Sequence, residues 1–501
     1  MGIQVTQNGQ VLMGLVLLTA VFNGCTQGYD QSSMNNFNLI SQYTEYFHLD
    51  DNLLGVNTAM INAGSVLGGL FAGQLCDKWG RRAGILASAI LTFIAVAIQA
   101  SATKEAAFIV GRILLGVSIT INGCAAPSWV MEMAHPKNRA LLGGLYMAIW
   151  YLAAIVVAGI SLATYTIPST WAWRGIAIGQ VVPSLLAVCI LPFTPESPRW
   201  LISQERYEEA LQLLAVLHAN GDEHNTLVQA EFKQICDVLG YEKQHKKNWM
   251  TLIVPKSNLR RFLIVIVLNV AAEVVGSNIV SFYLGIVFDN AGITSIRKQV
   301  LANLVLMVLS LFSAVGGSVA IEKLGRKAML FSSSVAVSFF LALMAILSAL
   351  YGDGSNESAS WAYVAIIFLF LLSYSFAWTP LTFVYPIEIL TYTQRAKGLA
   401  VGQMACYAFG FVNQYTTPIA INNIGWRYYA INAAWDAVIC LIIWYWFVET
   451  KGLALEEVDQ IFEGVVHSDG VFIGDGKNVT VGKYIEGMEN TASYAVSKEA
   501  T

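Results

Sequence analysis

Twelve times along this chain, roughly 20 residues pass with almost no charged side chain, about the length a helix needs to cross the ~30 Å hydrocarbon core of a bilayer. The stretches lie near 11–30, 53–76, 83–102, 106–130, 140–165, 173–195, 262–288, 299–322, 329–351, 360–386, 398–421 and 427–448. In lipid a backbone must satisfy its own hydrogen bonds, which leaves helices and closed barrels as the spanning elements, and runs of this length are helical. The expected architecture is an all-α membrane protein of 12 transmembrane helices in two pseudo-symmetric six-helix halves, 1–195 and 262–448. A cytoplasmic linker with surface helices, 196–261, joins them, and a cytoplasmic tail, 449–501, follows.

Charged residues make up 12% of the chain, about half the share of a soluble domain. A net charge of −4 offers no basic field for nucleic acid. The cysteines (25, 76, 124, 189, 236, 406 and 440) show neither disulfide nor metal-ligand spacing, and the histidines lie outside the spans. No phosphate-cradling loop or nucleophile motif is present, so an enzyme, a metal and a cofactor are not expected. The first stretch lacks a positive leading region and runs straight into Asp30, so it reads as a span that doubles as the entry signal.

Lys and Arg in short loops set the orientation. Lys78, Arg81, Arg82, Lys137, Arg139, Lys323, Arg326, Lys327, Arg395 and Lys397 follow spans 2, 4, 8 and 10, whereas 31–52 and 351–360 contain no Lys or Arg; Lys104, Arg297 and Lys298 are the exceptions. Both termini are thus expected in the cytoplasm. Asn356, in N-E-S, is then outside and open to glycosylation, while Asn478 in the tail is not.

The halves repeat. D77-K-W-G-R81-R82 after span 2 returns as E322-K-L-G-R326-K327 after span 8. Glu132 precedes Arg139 by the same spacing as Glu388 precedes Arg395, and PESPR at Glu196 is echoed by VETKG at Glu449. Together with the GYD ending at Asp30, the GRILLG from Gly111, Pro127, PESPRW from Pro195 and Pro380, these motifs resemble the sugar porter family of the major facilitator superfamily over roughly residues 10 to 465. The GYDQSSMN stretch and HANGD at 218–222 are similar to its fungal lactose-permease and hexose-transporter branch.

That resemblance gives the charged residues expected tasks. A carboxylate at membrane depth costs about 2.5–3.5 kcal/mol on insertion scales, so Asp30 needs a partner or a job. Arg112 in span 4 is the expected partner, and proton-coupled relatives use the matching pair as the protonation site; a static ion pair tying span 1 to span 4 is the alternative. Arg81, Arg82, Glu132, Arg139 and Glu196, with Glu322, Arg326, Glu388, Arg395 and Glu449, are implied to form a cytoplasmic gate. Apolar residues at helical spacing in 198–221 predict a surface helix beneath the bundle.

The family's sugar site uses amides from spans 5, 7 and 11 and a span 10 tryptophan. The matching positions here are Met147, Ala272, Glu273, Asn278, Phe282, Tyr283, Phe383 and Cys406, with Gln27 one turn before Asp30. Most of the amides are gone, and one carboxylate has arrived. Glu273 is open to four readings: partner of an amine-bearing substrate, second proton carrier, donor to a hydroxyl when protonated, or a buried acid merely hydrogen-bonded to a neighbouring helix. Three functions follow: proton-coupled uptake of a sugar-like small molecule by a monomer in the plasma membrane; carriage of a non-sugar metabolite on the same fold; and a non-transporting nutrient sensor.

Overall fold

The computed structural model describes residues 9–135, 139–244, 249–254, 256–289, 292–351, 357–453, 458 and 461–462. Asn356, Asn478, most of the 449–501 tail and the side chains of Arg139, Glu322 and Arg395 lie outside that description.

The described residues form helices and no strand. Span 1 is Gly9–Leu39, span 3 Arg81–Ser101, span 4 Glu105–Met133 and span 5 Arg139–Thr164. Spans 8 to 12 are Ile296–Leu324, Arg326–Tyr351, Glu357–Ile389, Tyr392–Ile424 and Trp426–Trp446. Three spans are broken. Span 2 is Asp51–Gly69 and Ala72–Trp79, bent by 48°. Span 6 is Trp171–Gly179 followed by Val181–Ile190, and span 7 is Lys256–Val274 followed by Ser277–Asp289.

Among the described residues ten helices are long and apolar enough to cross a membrane, or eleven with the bent pair counted as one. Span 11 occupies the remaining place but falls short on apolarity, because Gln403, Asn413, Gln414, Thr416, Thr417, Asn422 and Asn423 punctuate it. A helix this polar is tolerated at membrane depth when it faces other helices, and span 11 packs on spans 2 and 7.

Span 1 corrects an expectation. The helix does not close near Asp30 but continues through Ser32, Ser33, Asn35 and Asn36 to Leu39, so Asp30 sits inside it. These polar residues are buried and satisfied within the bundle: Asn36 donates to the Ser32 carbonyl at 3.0 Å and Ser33 to that of Asp30 at 2.9 Å.

Span 7 breaks at Gly276, whose φ of +74° is a left-handed value that glycine adopts without strain. A break orphans carbonyls, and side chains take them up. Ser277 and Tyr374 donate to the Ala272 carbonyl at 3.2 and 3.1 Å, and Asn278 and Asn413 donate to that of Glu273.

The halves meet where span 2 packs on span 11, span 5 on spans 8 and 10, and span 1 on span 7. The second half's apolar core crosses this seam, taking in Ala148, Tyr151 and Ala154 of span 5. At the face opposite the basic loops, Phe37, Tyr43, Phe47, Phe108 and Trp173 stack into one aromatic cluster. The expected surface helix at 198–221 is two helices, Pro198–Ser203 and Tyr207–Ala219, because Glu205 takes a φ of +64° between them. Thr226–Gln244 follows, and the buried Glu231 Oε2 lies 2.8 Å from His218 Nδ1.

Candidate functional site

Asp30 and Arg112 are both fully buried in the first half. The expected partnership takes an unexpected form. Arg112 Nη1 donates to the main-chain carbonyl of Asp30 at 3.2 Å, not to its carboxylate. Neither Asp30 carboxylate oxygen has a hydrogen-bond partner, and nor do Arg112 Nε and Nη2. The ion pair expected between the two is therefore unmade here. Burying an ionised group without a partner is costly. Two events relieve that cost: a proton on Asp30, or a shift of span 1 against span 4 that brings the fork to the carboxylate.

Glu273, a half-buried acid of the second half, is surrounded. It lies one residue before the end of the first segment of span 7, and the break folds Asn278 back so that its amide donates to Glu273 Oε2 at 3.0 Å. The Cys406 thiol donates to Oε1 at 3.3 Å. Glu273 and its near neighbour Asn278 thus form one group with Cys406, which is distant in sequence. Tyr283 is held elsewhere, its hydroxyl donating to the Gln414 carbonyl at 2.6 Å, and Phe282 receives Asn38 of span 1 on its carbonyl at 3.0 Å. Three expected residues are not joined to Glu273. Gln27 faces Gly123 of span 4, Met147 packs on the first half's core, and Phe383 lines a narrow pocket with Pro127, Val130, Met131, Gly143 and Tyr146.

Several polar groups went unrecognised in the sequence. Tyr151 of span 5 hydrogen-bonds Ser375 and Thr379 of span 10 across the seam, at 2.7 and 3.2 Å. Gln403 donates to Asn269 at 3.1 Å, so the amides missing at the expected positions are partly present a turn away. Asn62 of span 2 is buried with its Nδ2 unpartnered, and Asp436 of span 12 is buried with both carboxylate oxygens unpartnered. A formal charge inside a span was the available signal for Asp436.

On the basic face the repeat becomes geometry. Gly80 and Gly325 both take φ +94°, ending spans 2 and 8 and opening spans 3 and 9. Under each new helix lies a carboxylate. Glu196 accepts from the amides of Arg81 and Arg82 at 3.0 and 3.2 Å, and Glu449 accepts from those of Arg326 and Lys327 at 2.7 and 3.0 Å. This is the favoured place for an anion, at the positive end of the helix dipole. Burial holds the Glu196 carboxyl above its usual range, against the pull of the Ser197, Arg82 and Arg81 amides. Arg81 grips Glu132 in a two-pronged pair at 3.1 and 3.0 Å, and Arg326 grips Glu388 at 3.0 and 2.7 Å. Ser197 and Thr450 donate to the same two glutamates. Both clusters stay within their own half, and among the described residues no ion pair crosses between them.

The opposite face is sealed by amides instead. Asn35 donates to Asn303 at 3.2 Å and receives the Leu284 amide at 3.4 Å, while Asn303 donates to Asn36 at 3.3 Å. Span 1 of the first half is thereby stitched to spans 7 and 8 of the second.

Comparison with known proteins places this architecture. The family described as "Sugar (and other) transporter" matches residues 16–462. The chain belongs to this sugar transporter family. Among sugar transporter family members, a high-affinity glucose transporter of Kluyveromyces lactis is 28% identical over 461 residues, covering 88% of this chain and 84% of that one. The MFS-type transporter criB of Aspergillus cristatus is 25% identical, covering 90% and 94%. A solved structure of the proton:xylose symporter XylE, bound to 6-bromo-6-deoxy-D-glucose, superposes with a TM-score of 0.75 at 21% identity, covering 91% of this chain and all of that one. The fold is the major facilitator fold.

Proposed function

We propose that this sugar transporter family member is a proton-coupled symporter of a neutral sugar or polyol, working by alternating access. Its site residues are Asp30 with Arg112 for the proton, and Glu273 and Asn278, supported by Cys406, for the substrate. One observation carries the reading: a carboxylate buried at membrane depth with no partner, beside a guanidinium that reaches only its main chain. Such a pair has two arrangements, and a proton that favours one of them biases the carrier's states by its differential affinity. Similarity to a named glucose transporter and to a named proton:xylose symporter supports the substrate class and the coupling ion. The basic loops support a cytoplasmic position for both termini and both charged clusters, and the plasma membrane and a monomeric state complete the reading.

Purified protein in vesicles with a pH-sensitive dye tests it. Glucose or xylose added outside acidifies the lumen if the reading holds. Sugar entry without proton entry overturns it. A second reading, a non-sugar metabolite, is favoured by the carboxylate of Glu273 at a position where the resemblance implies an amide, and by relatives named only as MFS-type transporters.

A further inference from the structure

The unpartnered amide of Asn62 lies on the first half, while Glu273 lies on the second, and the two meet at Gly410 of span 11. A Cβ built on Gly410 would stand 3.0 Å from Asn62 Nδ2 and 3.0 Å from Glu273 Oε2. Those two atoms therefore both lie against the bare face of one glycine. Any side chain at 410 would crowd both. Asn62 is 7% exposed and its Nδ2 has no acceptor, although a buried donor left unmade costs free energy. Glu273 Oε2 already receives Asn278 at 3.0 Å, but an ionised carboxylate oxygen has room for a second donor.

We propose that Asn62 and Glu273 form a subsite for a substrate hydroxyl, with Gly410 placing no side chain over either atom. The chemistry chooses the ligand. A group seated here must accept a hydrogen bond from the Asn62 amide and donate one to the Glu273 carboxylate. A hydroxyl does both. An ammonium group only donates, so it satisfies Glu273 and leaves Asn62 orphaned. The subsite thus reads a neutral hydroxylated ring or polyol and disfavours an amine at that position. Because its two members sit on opposite halves, the subsite is complete only while the halves are close at span 2 and span 11. A bound hydroxyl would favour that closed arrangement over the open ones.

This inference deepens the proposed function and rests on it. The experiment uses the full chain in a transporter-deficient host, with labelled glucose, its set of singly deoxygenated analogues and glucosamine. Surface amounts are measured for wild type, Asn62→Ala, Asn62→Ser and Gly410→Ala. Asn62→Ala is expected to raise the KM for glucose about 10-fold, the effect of one buried hydrogen bond. One deoxy analogue, lacking the hydroxyl that Asn62 serves, should show the same KM in wild type and variant. Asn62→Ser keeps a donor and should recover part of the loss, and Gly410→Ala should weaken glucose uptake as well. A wild type that takes up glucose while Asn62→Ala leaves every KM unchanged, or shifts all analogues equally, overturns the subsite and leaves the proposed function standing. Should Asn62→Ala fail to reach the surface, the Ser variant and the analogue series on wild type decide, and glucosamine preferred over glucose overturns the subsite. A wild type that moves none of these compounds, nor xylose or a polyol, overturns both.

Discussion

Asp30 and Glu273 are both carboxylates inside the bundle, one in each half, yet their surroundings are opposite. Asp30 lacks a hydrogen-bond donor on either oxygen, and its basic neighbour reaches past the carboxylate to the main chain. Glu273 has the Asn278 amide on one oxygen and a thiol on the other, while its carbonyl accepts from that same Asn278 amide and from Asn413. Their backbones differ in the same sense. Asp30 lies in the unbroken helix of span 1, where main-chain groups are already paired and none is free to turn toward it. Glu273 lies one residue before the end of a helical segment, and the break beyond it frees both carbonyls and a following asparagine to build a polar nest. The unsatisfied acid suits a group that must change state in each cycle. The satisfied acid suits one that must present a fixed set of acceptors to a ligand.

Replacing Asp30 attacks that division most directly and should have the largest effect. If one proton is coupled to each sugar, a pH gradient of one unit supports about 10-fold accumulation. Asp30→Asn should abolish accumulation, so that labelled sugar inside the cell levels off at its external concentration, while exchange across the membrane continues. Steady-state uptake at two external acidities measures this. Accumulation that persists with its acid dependence intact would show that the proton sits elsewhere, and the contrast between the two acids would lose its meaning.

Glu273→Gln should act on the other quantity. Hydrogen bonds to a charged group contribute about 1.5–3 kcal/mol, so the KM for sugar should rise roughly 10-fold or more, with the accumulation ratio at saturating sugar retained. Initial-rate kinetics alongside the same steady-state measurement separate the two. If this variant also fails to accumulate, both acids belong to one proton path.

The apolar runs made the helical architecture legible, since a bilayer imposes one length and one backbone solution on every span. Two spans depart from the simple apolar pattern for one cause. Span 1 runs on past Asp30 through Ser32, Ser33, Asn35 and Asn36, and span 11 is rich in amides, because both bury polar side chains against other helices rather than in lipid. Hydropathy does not distinguish a polar residue facing water from one facing a neighbour. The repeated Glu and Arg landmarks were legible as a set, since their spacing survives in both halves, but their pairing within each half needed coordinates. The candidate site was legible for Asp30, Arg112 and Glu273 through their charge, which is anomalous inside a span. Asn62 carries no such flag: one asparagine in an apolar helix becomes significant only when Gly410 brings it to a carboxylate from the other half. The break at Gly276 escaped for a related reason. A single glycine inside an apolar run is common, and its positive φ is set by what packs around it.

The smallest expected effect lies at Cys406. By resemblance its position contributes an amide to the sugar, whereas in this chain its thiol is turned to Glu273 Oε1 at 3.3 Å. A thiol is a weak donor. Cys406→Ser supplies a stronger donor on a shorter bond, two changes that oppose each other at this distance, and its KM should stay within about threefold of wild type. Cys406→Ala removes the donor but leaves Glu273 the amide of Asn278, and a loss of similar size is expected. Initial uptake rates over a range of sugar concentrations measure both. A change beyond about 10-fold in the alanine variant would exceed what a supporting thiol contributes. It would mean that residue 406 touches the substrate itself, so that the second half's site reaches the ligand through span 11 as well as through the acid at the break in span 7.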